Sequence, residues 1–266
     1  VFDIKQGVSI NIFVKNKENK ENSLGNIYYD EIVAKREEKL GLLNRDEVKY
    51  KKLNYKEPYY FFVPKNFSSN NEYNSWIKLS DLFNQSNAGT ATGKDEALVG
   101  FNVSDLINKL RNKNINFSEA DIQPYNYRIF DKRYFIYDTT LIQRLRDKIM
   151  KHLRFPRNNI SLVTTKILSS NSYQHCFISD IVGDRCFISN KGKEANYYMP
   201  LYLYSESEEK TPNIDAKIWK EINKIVGETT PEDIFDYIYA VLHSPSYREK
   251  YKEFLKIDFP RVPYPK

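Results

Sequence analysis

Residues 124–166 read PYNYRIFDKRYFIYDTTLIQRLRDKIMKHLRFPRNNISLVTTK. This stretch holds ten Lys or Arg residues and three Asp residues, a net charge of +7, whereas the whole chain of 266 residues carries only +6. The residues outside the stretch therefore sum to −1. Aromatic side chains interleave with the charges at Tyr125, Tyr127, Phe130, Tyr134, Phe135 and Tyr137. A local basic patch that is mixed with aromatic and amide side chains is typical of a nucleic-acid-binding surface.

The second half of this stretch predicts an amphipathic helix that begins at Thr139 or Thr140, because a hydroxyl at a helix N-terminus satisfies a free backbone N–H. Its core-facing stripe at helical spacing is formed by Ile142, Leu145, Ile149 and Leu153. Pro156 ends it, since the residue before a proline disfavours helical geometry. Another face presents Arg144, Lys148 and Lys151, and the end of the helix carries Arg154, Arg157 and Asn158. An ordinary solvated basic face would explain the helix alone, but with the flanking Arg128, Lys132 and Arg133 we favour a surface that contacts phosphates.

The composition is that of a globular protein with one or two domains. The chain is 41% hydrophobic and has 21 Tyr and 16 Phe residues, enough for a large core. It contains no apolar run near 18 residues, so no transmembrane helix or membrane partner is predicted. The two cysteines, Cys176 and Cys186, fit an intracellular, reduced protein, and we expect a cytoplasmic location. The sequence begins at Val1 inside a predicted strand, which we interpret as a fragment of a longer polypeptide.

The order of the predicted elements indicates an α+β fold: a mixed α/β lobe with short β-strands, then a C-terminal helical module. Residues 1–15 read as two strands around Gly7, the second with a period of two. Residues 160–204 contain four short runs of strand character with turns between them. An acidic linker at 205–213 follows. The chain then becomes helical, with proline at the first helical position after Thr230 and again after Ser244.

Residues 87–95, NAGTATGKD, have three residues between their glycines, and Asp95 follows Lys94. A phosphate-binding loop of an NTPase needs four residues there and a Ser or Thr after the Lys, so that class is excluded. The loop is then either a Gly/Thr segment that presents Thr90, Thr92 and Lys94 to DNA, or an ordinary surface loop. The spacing of His175, Cys176 and Cys186 does not suit zinc. No catalytic constellation is found, so we predict that this chain alone is not an enzyme.

The run PEDIFDYIYAVLHSPSYREKYKEFLKIDFPR at 231–261 resembles the C-terminal specificity region of type ISP restriction–modification enzymes and of the related type IIG enzymes. Residues 1–15 are similar to the last strands of the methyltransferase domain in that family. Residues 92–95, TGKD, resemble its Thr-x-Arg-Asp loop, with Lys94 in place of Arg. Residues 127–152 resemble its Pro-Phe-Asp-x-Arg stretch and the helix after it, and 200–204 also agree.

This resemblance implies a domain that reads a short DNA site, so that a parent adenine-N6 methyltransferase and endonuclease modifies or restricts DNA. It divides the chain into the end of a methyltransferase-type sheet (1–15), a DNA target-recognition lobe (16–205) and a helical C-terminal module (206–266). The implied partners are double-stranded DNA and the methyltransferase domain of the same polypeptide. S-adenosylmethionine, magnesium and possibly ATP would belong to the missing parts, with no cofactor in this fragment.

The residues expected to contact DNA fall into two groups. Phosphates would be contacted by Arg144, Lys148, Lys151, Arg154 and Arg157. Base edges would be read by some of Thr92, Lys94, Asp95, Arg128, Lys132, Arg133 and Asn158, because bidentate Arg–guanine and Asn–adenine pairs discriminate bases in the major groove. The alternative function is a protein-interaction module, in which the C-terminal helices and the Tyr-rich surface dock the other domains of the parent and DNA contact is minor.

Overall fold

The computed structural model describes residues 8–15, 24–44, 48–55, 57, 60–65, 69–170 and 172–266. They belong to two compact units, Val1–Asn66 and Phe67–Lys266. The first unit has an antiparallel strand pair, β1 (Ile27–Tyr29) with β2 (Lys51–Leu53), and a helix between them, α1 (Arg36–Leu43). None of its described residues is buried.

The strand predicted for residues 8–14 does not form. In the described part of the chain these residues pair with no other strand, and the side chains of Ile10 and Ile12 are 85% and 80% exposed. A strand needs neighbours that take up its backbone hydrogen bonds, and the alternation of the side chains does not supply them. Residues 1–7 lie outside the described residues, and the assignment of 1–15 to a methyltransferase-type sheet stays a prediction.

The second unit confirms the α+β prediction. Its helices are α2 (Asn70–Asn74), α3 (Leu79–Leu82), α4 (Asp95–Leu98), α5 (Val103–Asn112), α6 (Asp147–Met150), α7 (Ala216–Val226), α8 (Pro231–His243), α9 (Pro245–Lys250) and α10 (Lys252–Leu255). Its strands are β3 (Ile77–Lys78), β4 (Asn87–Ala88), β5 (Val99–Gly100), β6 (Ile122–Arg128), β7 (Asp131–Ile136), β8 (Ser161–Thr165), β9 (Cys176–Ser179), β10 (Asn196–Pro200), β11 (Tyr202–Tyr204), β12 (Lys210–Pro212) and β13 (Arg261–Val262). No helix in the described part of the chain is long and apolar enough to cross a bilayer.

An antiparallel sheet in the order β4-β10-β8-β9 contributes to two hydrophobic cores. Successive side chains of a strand point to opposite faces. Leu162 of β8 and Met199 of β10 accordingly join a core with helices α7 to α10, whereas Val163 and Tyr198 join a second core. The second core is completed by α5, α6 and a three-stranded sheet in the order β5-β7-β6. The basic stretch supplies β6, β7, α6 and β8, and it is therefore built into the middle of the fold.

The helix predicted from Thr139 or Thr140 to Leu153 is mostly absent. The chain makes turns up to Arg146, then the single turn α6 and a 3-10 turn (Lys151–Leu153). The backbone of Arg144 pairs in both directions with Ala91 at 3.0 Å, and the N–H of Gln143 donates to the carbonyl of Thr92. These bonds replace the helical ones. The four apolar side chains of the predicted stripe are nevertheless buried in the second core.

The C-terminal helices begin where the sequence predicts. The Thr230 hydroxyl accepts from the N–H of Asp233, whose carboxylate accepts from the N–H of Thr230, and Pro231 occupies the first turn. The Ser244 hydroxyl caps α9 in the same way by accepting from the N–H of Tyr247. Gly227, with a φ of 89°, ends α7. The predicted subdomain boundary near 205 stays a prediction, and one core contains residues from both sides of it.

Candidate nucleic-acid interface

The hairpin formed by β6 and β7 carries the first half of the basic stretch. Arg128 faces Asp131 across the ladder, so that Ile129 and Phe130 form the tip. Below the tip, the rings of Tyr125 and Phe135 are fully buried and stack at 4.3 Å between centroids. The hairpin is therefore anchored in the second core while its tip and outer residues face solvent.

Arg128 is fixed by a buried carboxylate. Its guanidinium lies 3.0 Å from Asp184 and 3.9 Å from the centre of the Tyr127 ring. Asp184 also accepts hydrogen bonds from the Tyr125 hydroxyl at 2.7 Å and from the N–H of Cys186 at 2.6 Å. Burial raises the pKa of Asp184, and these hydrogen bonds and the nearby Arg128 oppose that shift. The position of Arg128 is therefore set from inside the fold.

Arg133 on the neighbouring strand is held in a comparable way. It forms a bidentate pair with Asp131, with Nε–Oδ1 and Nη2–Oδ2 distances of 2.9 and 2.8 Å. Its guanidinium also lies over the Tyr127 ring at 4.0 Å and over the Phe101 ring at 4.4 Å. Two guanidinium groups thus share one tyrosine ring, a contact that is favourable for cations over aromatic faces.

The Gly/Thr loop lies against this hairpin. The Tyr127 hydroxyl donates to Asp95 at 2.8 Å, and the Thr92 hydroxyl donates to the other oxygen of the same carboxylate. Thr92 is buried, so its side chain positions Asp95 rather than facing solvent. Lys94 next to it is exposed. The hairpin cluster is defined as Thr92, Lys94, Asp95, Arg128, Lys132, Arg133 and Arg144.

Of the remaining predicted residues, Lys148 and Lys151 line an open cleft of about 310 Å³ together with His152 and Tyr204. Tyr204 connects the cleft to the end of the basic stretch, because its hydroxyl donates to the carbonyl of Asn158 at 2.9 Å. Burial lowers the pKa of His152 to about 4, so its ring is neutral at pH 7 and the two lysines supply the positive charge. The cleft cluster is defined as Lys148, Lys151, Arg154, Arg157 and Asn158.

Both arginines of the cleft cluster have carboxylate partners, as the arginines of the hairpin do. Arg154 lies 3.1 Å from Asp121 and over the Tyr137 ring. Arg157 forms a bidentate pair with Glu208, and its guanidinium lies 5.1 Å from the centre of the Tyr204 ring. Sequence reasoning missed these pairs, because the acidic partners lie 33 and 51 residues away in the chain.

The predicted cations thus differ in how they are held. Arg128, Arg133, Arg154 and Arg157 each have a carboxylate partner, and exposed Lys132 has a loose one, Asp180 at 3.7 Å. Within the described residues no carboxylate pairs with Lys94, Arg144, Lys148 or Lys151. The four paired arginines are therefore preorganised, and the unpaired cations, Arg144 among them, are available for phosphates.

The described residues hold no group of metal-ligating side chains. No three His, Cys, Asp or Glu side chains of this part of the chain are grouped as metal ligands. His175 lies 3.2 Å from Glu194, and burial raises the pKa of the Cys176 thiol to about 12, so that this thiol is not a nucleophile at neutral pH.

Comparison with known proteins gives a family match and a set of related folds. The family model described as the Type ISP C-terminal specificity domain matches residues 63–266. A search of curated protein sequences returned no match.

Three solved structures share the fold at 18 or 19% identity. The DrdV–DNA complex has a TM-score of 0.68 over 83% of this chain. The ATP-dependent Type ISP restriction–modification enzyme LlaBIII bound to DNA has 0.64 over 82%. A nuclease-deletion mutant of the Type ISP enzyme LlaGI, in complex with a DNA substrate mimic, has 0.65 over 93%. This chain covers 26%, 17% and 27% of those chains, so it spans about a quarter of their length or less.

Proposed function

Since this chain belongs to the family of Type ISP C-terminal specificity domains, we propose that it is the DNA target-recognition domain of a restriction–modification enzyme. It binds duplex DNA and directs methylation and cleavage by catalytic domains outside this chain. The observation that carries the proposal is the family match over residues 63–266, which include both clusters of preorganised basic side chains. The similarity in fold to three proteins that were solved with DNA also supports it.

The candidate residues divide into two roles that do not coincide with the two clusters. Unpaired Arg144, Lys148 and Lys151 neutralise phosphates, and Arg154 and Arg157 assist them at the edge of the cleft. Such contacts set affinity and register without reading sequence. Base edges are read by some of Lys94, Asp95, Arg128, Lys132, Arg133 and Asn158. Arg128 and Arg133 suit this role because a fixed, planar guanidinium can pair with O6 and N7 of guanine.

The catalytic chemistry belongs to other parts of the parent polypeptide. The parent methylates N6 of adenine with S-adenosylmethionine and cleaves unmodified DNA with magnesium, and ATP serves a helicase-type part. A methyltransferase domain of the same polypeptide is then the partner that closes around the other side of the duplex. This chain alone catalyses none of these steps.

The proposal is tested by measuring duplex binding with fluorescence anisotropy, using a randomised DNA pool and a series of salt concentrations. We expect a log–log salt slope that corresponds to several released counterions, and enrichment of a subset of sequences. The same enrichment from the randomised pool with the Asp95→Asn variant should yield a different subset of sequences, because Asp95 is among the residues proposed to read bases. Absence of binding at low salt would contradict the proposal and support the docking-module alternative, whose interface would resist salt.

A further inference from the structure

Among the described residues of the second unit, Phe130 is the most exposed large apolar side chain. It is 99% exposed, compared with 67% for Phe101 and 62% for Phe155. It occupies the tip of the β6–β7 hairpin with a φ of 62°, a left-handed conformation that is unfavourable for a bulky residue and that Asn or Gly would adopt more readily. Neither the core nor the turn explains a phenyl group at this position.

The tip is held rigidly although it is exposed. The N–H of Ile129 donates to the carbonyl of Phe187 at 3.0 Å, and Arg128 is paired with the buried Asp184. On the other strand Asp131 and Arg133 form their bidentate pair. The phenyl ring is therefore presented on a fixed base, so little conformational entropy is lost when the ring enters a binding partner.

The charge around the tip indicates what this partner is. Arg128, Lys132 and Arg133 lie within three residues of Phe130, and the exposed side chain of Lys94 belongs to the adjoining loop. An apolar pocket on a protein would have to tolerate these cations, whereas duplex DNA places phosphates beside an apolar stack of bases. Exposed apolar side chains are used as wedges between base steps by DNA-binding proteins that kink the duplex.

We propose that Phe130 inserts between adjacent base pairs of the bound duplex, while the exposed Lys132 beside it contacts a phosphate of that step. This inference rests on the proposed function. A phenyl ring has no hydrogen-bonding group and reads no base edge. It selects sequence through the ease of unstacking, which is greatest at pyrimidine–purine steps. The hairpin would then add shape readout to the direct readout by its arginines.

The test uses the 266-residue chain and a duplex selected by the anisotropy experiment, with 2-aminopurine placed at each position in turn. Binding of the unmodified chain should raise the fluorescence at one step. Phe130→Ala should abolish this increase and weaken binding about 5- to 150-fold, as expected for loss of aromatic stacking on a base. Phe130→Trp should retain both properties. The Phe155→Ala variant, which removes another exposed phenyl group of the basic stretch, should leave both unchanged.

The possible outcomes separate this inference from the proposed function. DNA binding by the unmodified chain with the same affinity and fluorescence in Phe130→Ala would overturn the wedge and leave DNA recognition intact. Absence of DNA binding by the unmodified chain would overturn both. Phe130→Ala could instead weaken binding to all duplexes equally, with no fluorescence change at any step for the unmodified chain. The phenyl group would then contact the outside of the duplex, and insertion would also be overturned.

Discussion

The carboxylate of Glu208 forms a bidentate pair with the guanidinium of Arg157, as a phosphate would. The carboxylate holds the pKa of Arg157 above its usual range, and Arg157 lowers the pKa of Glu208. Glu208 is exposed on an acidic loop that DNA must displace if Arg157 is to contact a phosphate. We therefore expect Glu208→Gln to tighten duplex binding about fivefold, equivalent to roughly 1 kcal/mol, as measured by anisotropy.

Glu206→Gln is the matched control for this experiment. It removes one negative charge from the same exposed loop, but no described residue is bonded to its side chain. If both variants tighten binding equally, the effect comes from net charge and Glu208 does not compete with DNA for Arg157.

Arg133 offers the complementary experiment in the hairpin cluster. We expect Arg133→Ala to weaken binding about tenfold and to relax the preference at one base position, because a positioned guanidinium is lost. The fold should persist, since Arg133 and its partner Asp131 are both part-exposed. Arg111→Ala, which breaks a loose surface ion pair with Glu119 at 3.7 Å, serves as the control. Unchanged enrichment from a randomised DNA pool would exclude Arg133 from base reading.

His152 makes stability depend on pH. Its ring is buried, Nδ1 accepts from the N–H of Tyr204 at 2.9 Å, and burial lowers its pKa to about 4. The unfolded chain, with a histidine pKa of about 6.5, binds the proton more readily. The contribution of His152 is therefore complete above pH 6.5 and is lost as the pH falls towards 4, by at most about 3 kcal/mol.

Urea unfolding at pH 7 and pH 5 measures this contribution. We expect the unmodified chain to lose about 2 kcal/mol more than His152→Gln between the two values, because glutamine does not titrate. The same loss in both proteins would show that His152 does not titrate on unfolding.

Individual residues also mark the limit of inference from the sequence. Nine of the candidate residues lie in the basic stretch and are predicted from its local charge, and the other three belong to the Gly/Thr loop. Their partners Asp184, Asp121 and Glu208 come from remote positions that only the fold brings together. Phe130 was visible as one of several interleaved aromatic residues, but its full exposure follows from the hairpin, which the local pattern did not reveal.

At the level of elements, local rules predict the caps of the C-terminal helices correctly. They fail where backbone pairing with a distant segment replaces a helix. Residues 139–153 have a helical pattern, yet the pairing of Arg144 with Ala91 replaces the helix before α6. Arg146 then has a left-handed φ of 60°, which changes the direction of the chain. The burial pattern was predictable because it reflects hydrophobicity, whereas the conformation depends on a loop some 50 residues earlier.

The capping box of α8 is the element-level prediction that can be tested by mutation. Thr230→Ala removes the hydroxyl that accepts from the N–H of Asp233 and donates to the Asp233 carboxylate, while the backbone N–H of residue 230 keeps its own bond to that carboxylate. We expect the free energy of unfolding to fall by about 1 kcal/mol. DNA affinity should not change, since Thr230 belongs to neither cluster. Thr139→Ala, at an exposed threonine where no helix begins, should leave stability unchanged; an equal loss would contradict the role of the cap.

At the level of the whole molecule, both hydrophobic cores and both clusters lie in Phe67–Lys266, and none of the described residues of the first unit is buried. Burial of apolar surface is the main favourable term in folding. The stability and the proposed recognition surface should therefore both belong to the second unit. The family match, which begins at residue 63, coincides with this division.

A fragment of residues 67–266 tests this conclusion. We expect it to unfold in a single transition at the same temperature as the whole chain, since no core residue among those that the structure describes is removed. The salt slope of duplex binding should differ by less than about one counterion, because both clusters remain complete. A lower unfolding temperature would contradict this conclusion, because the first unit would then contribute to stability. A slope reduced by several counterions, with an unchanged melting temperature, would show that the lysines of the first unit also contact DNA.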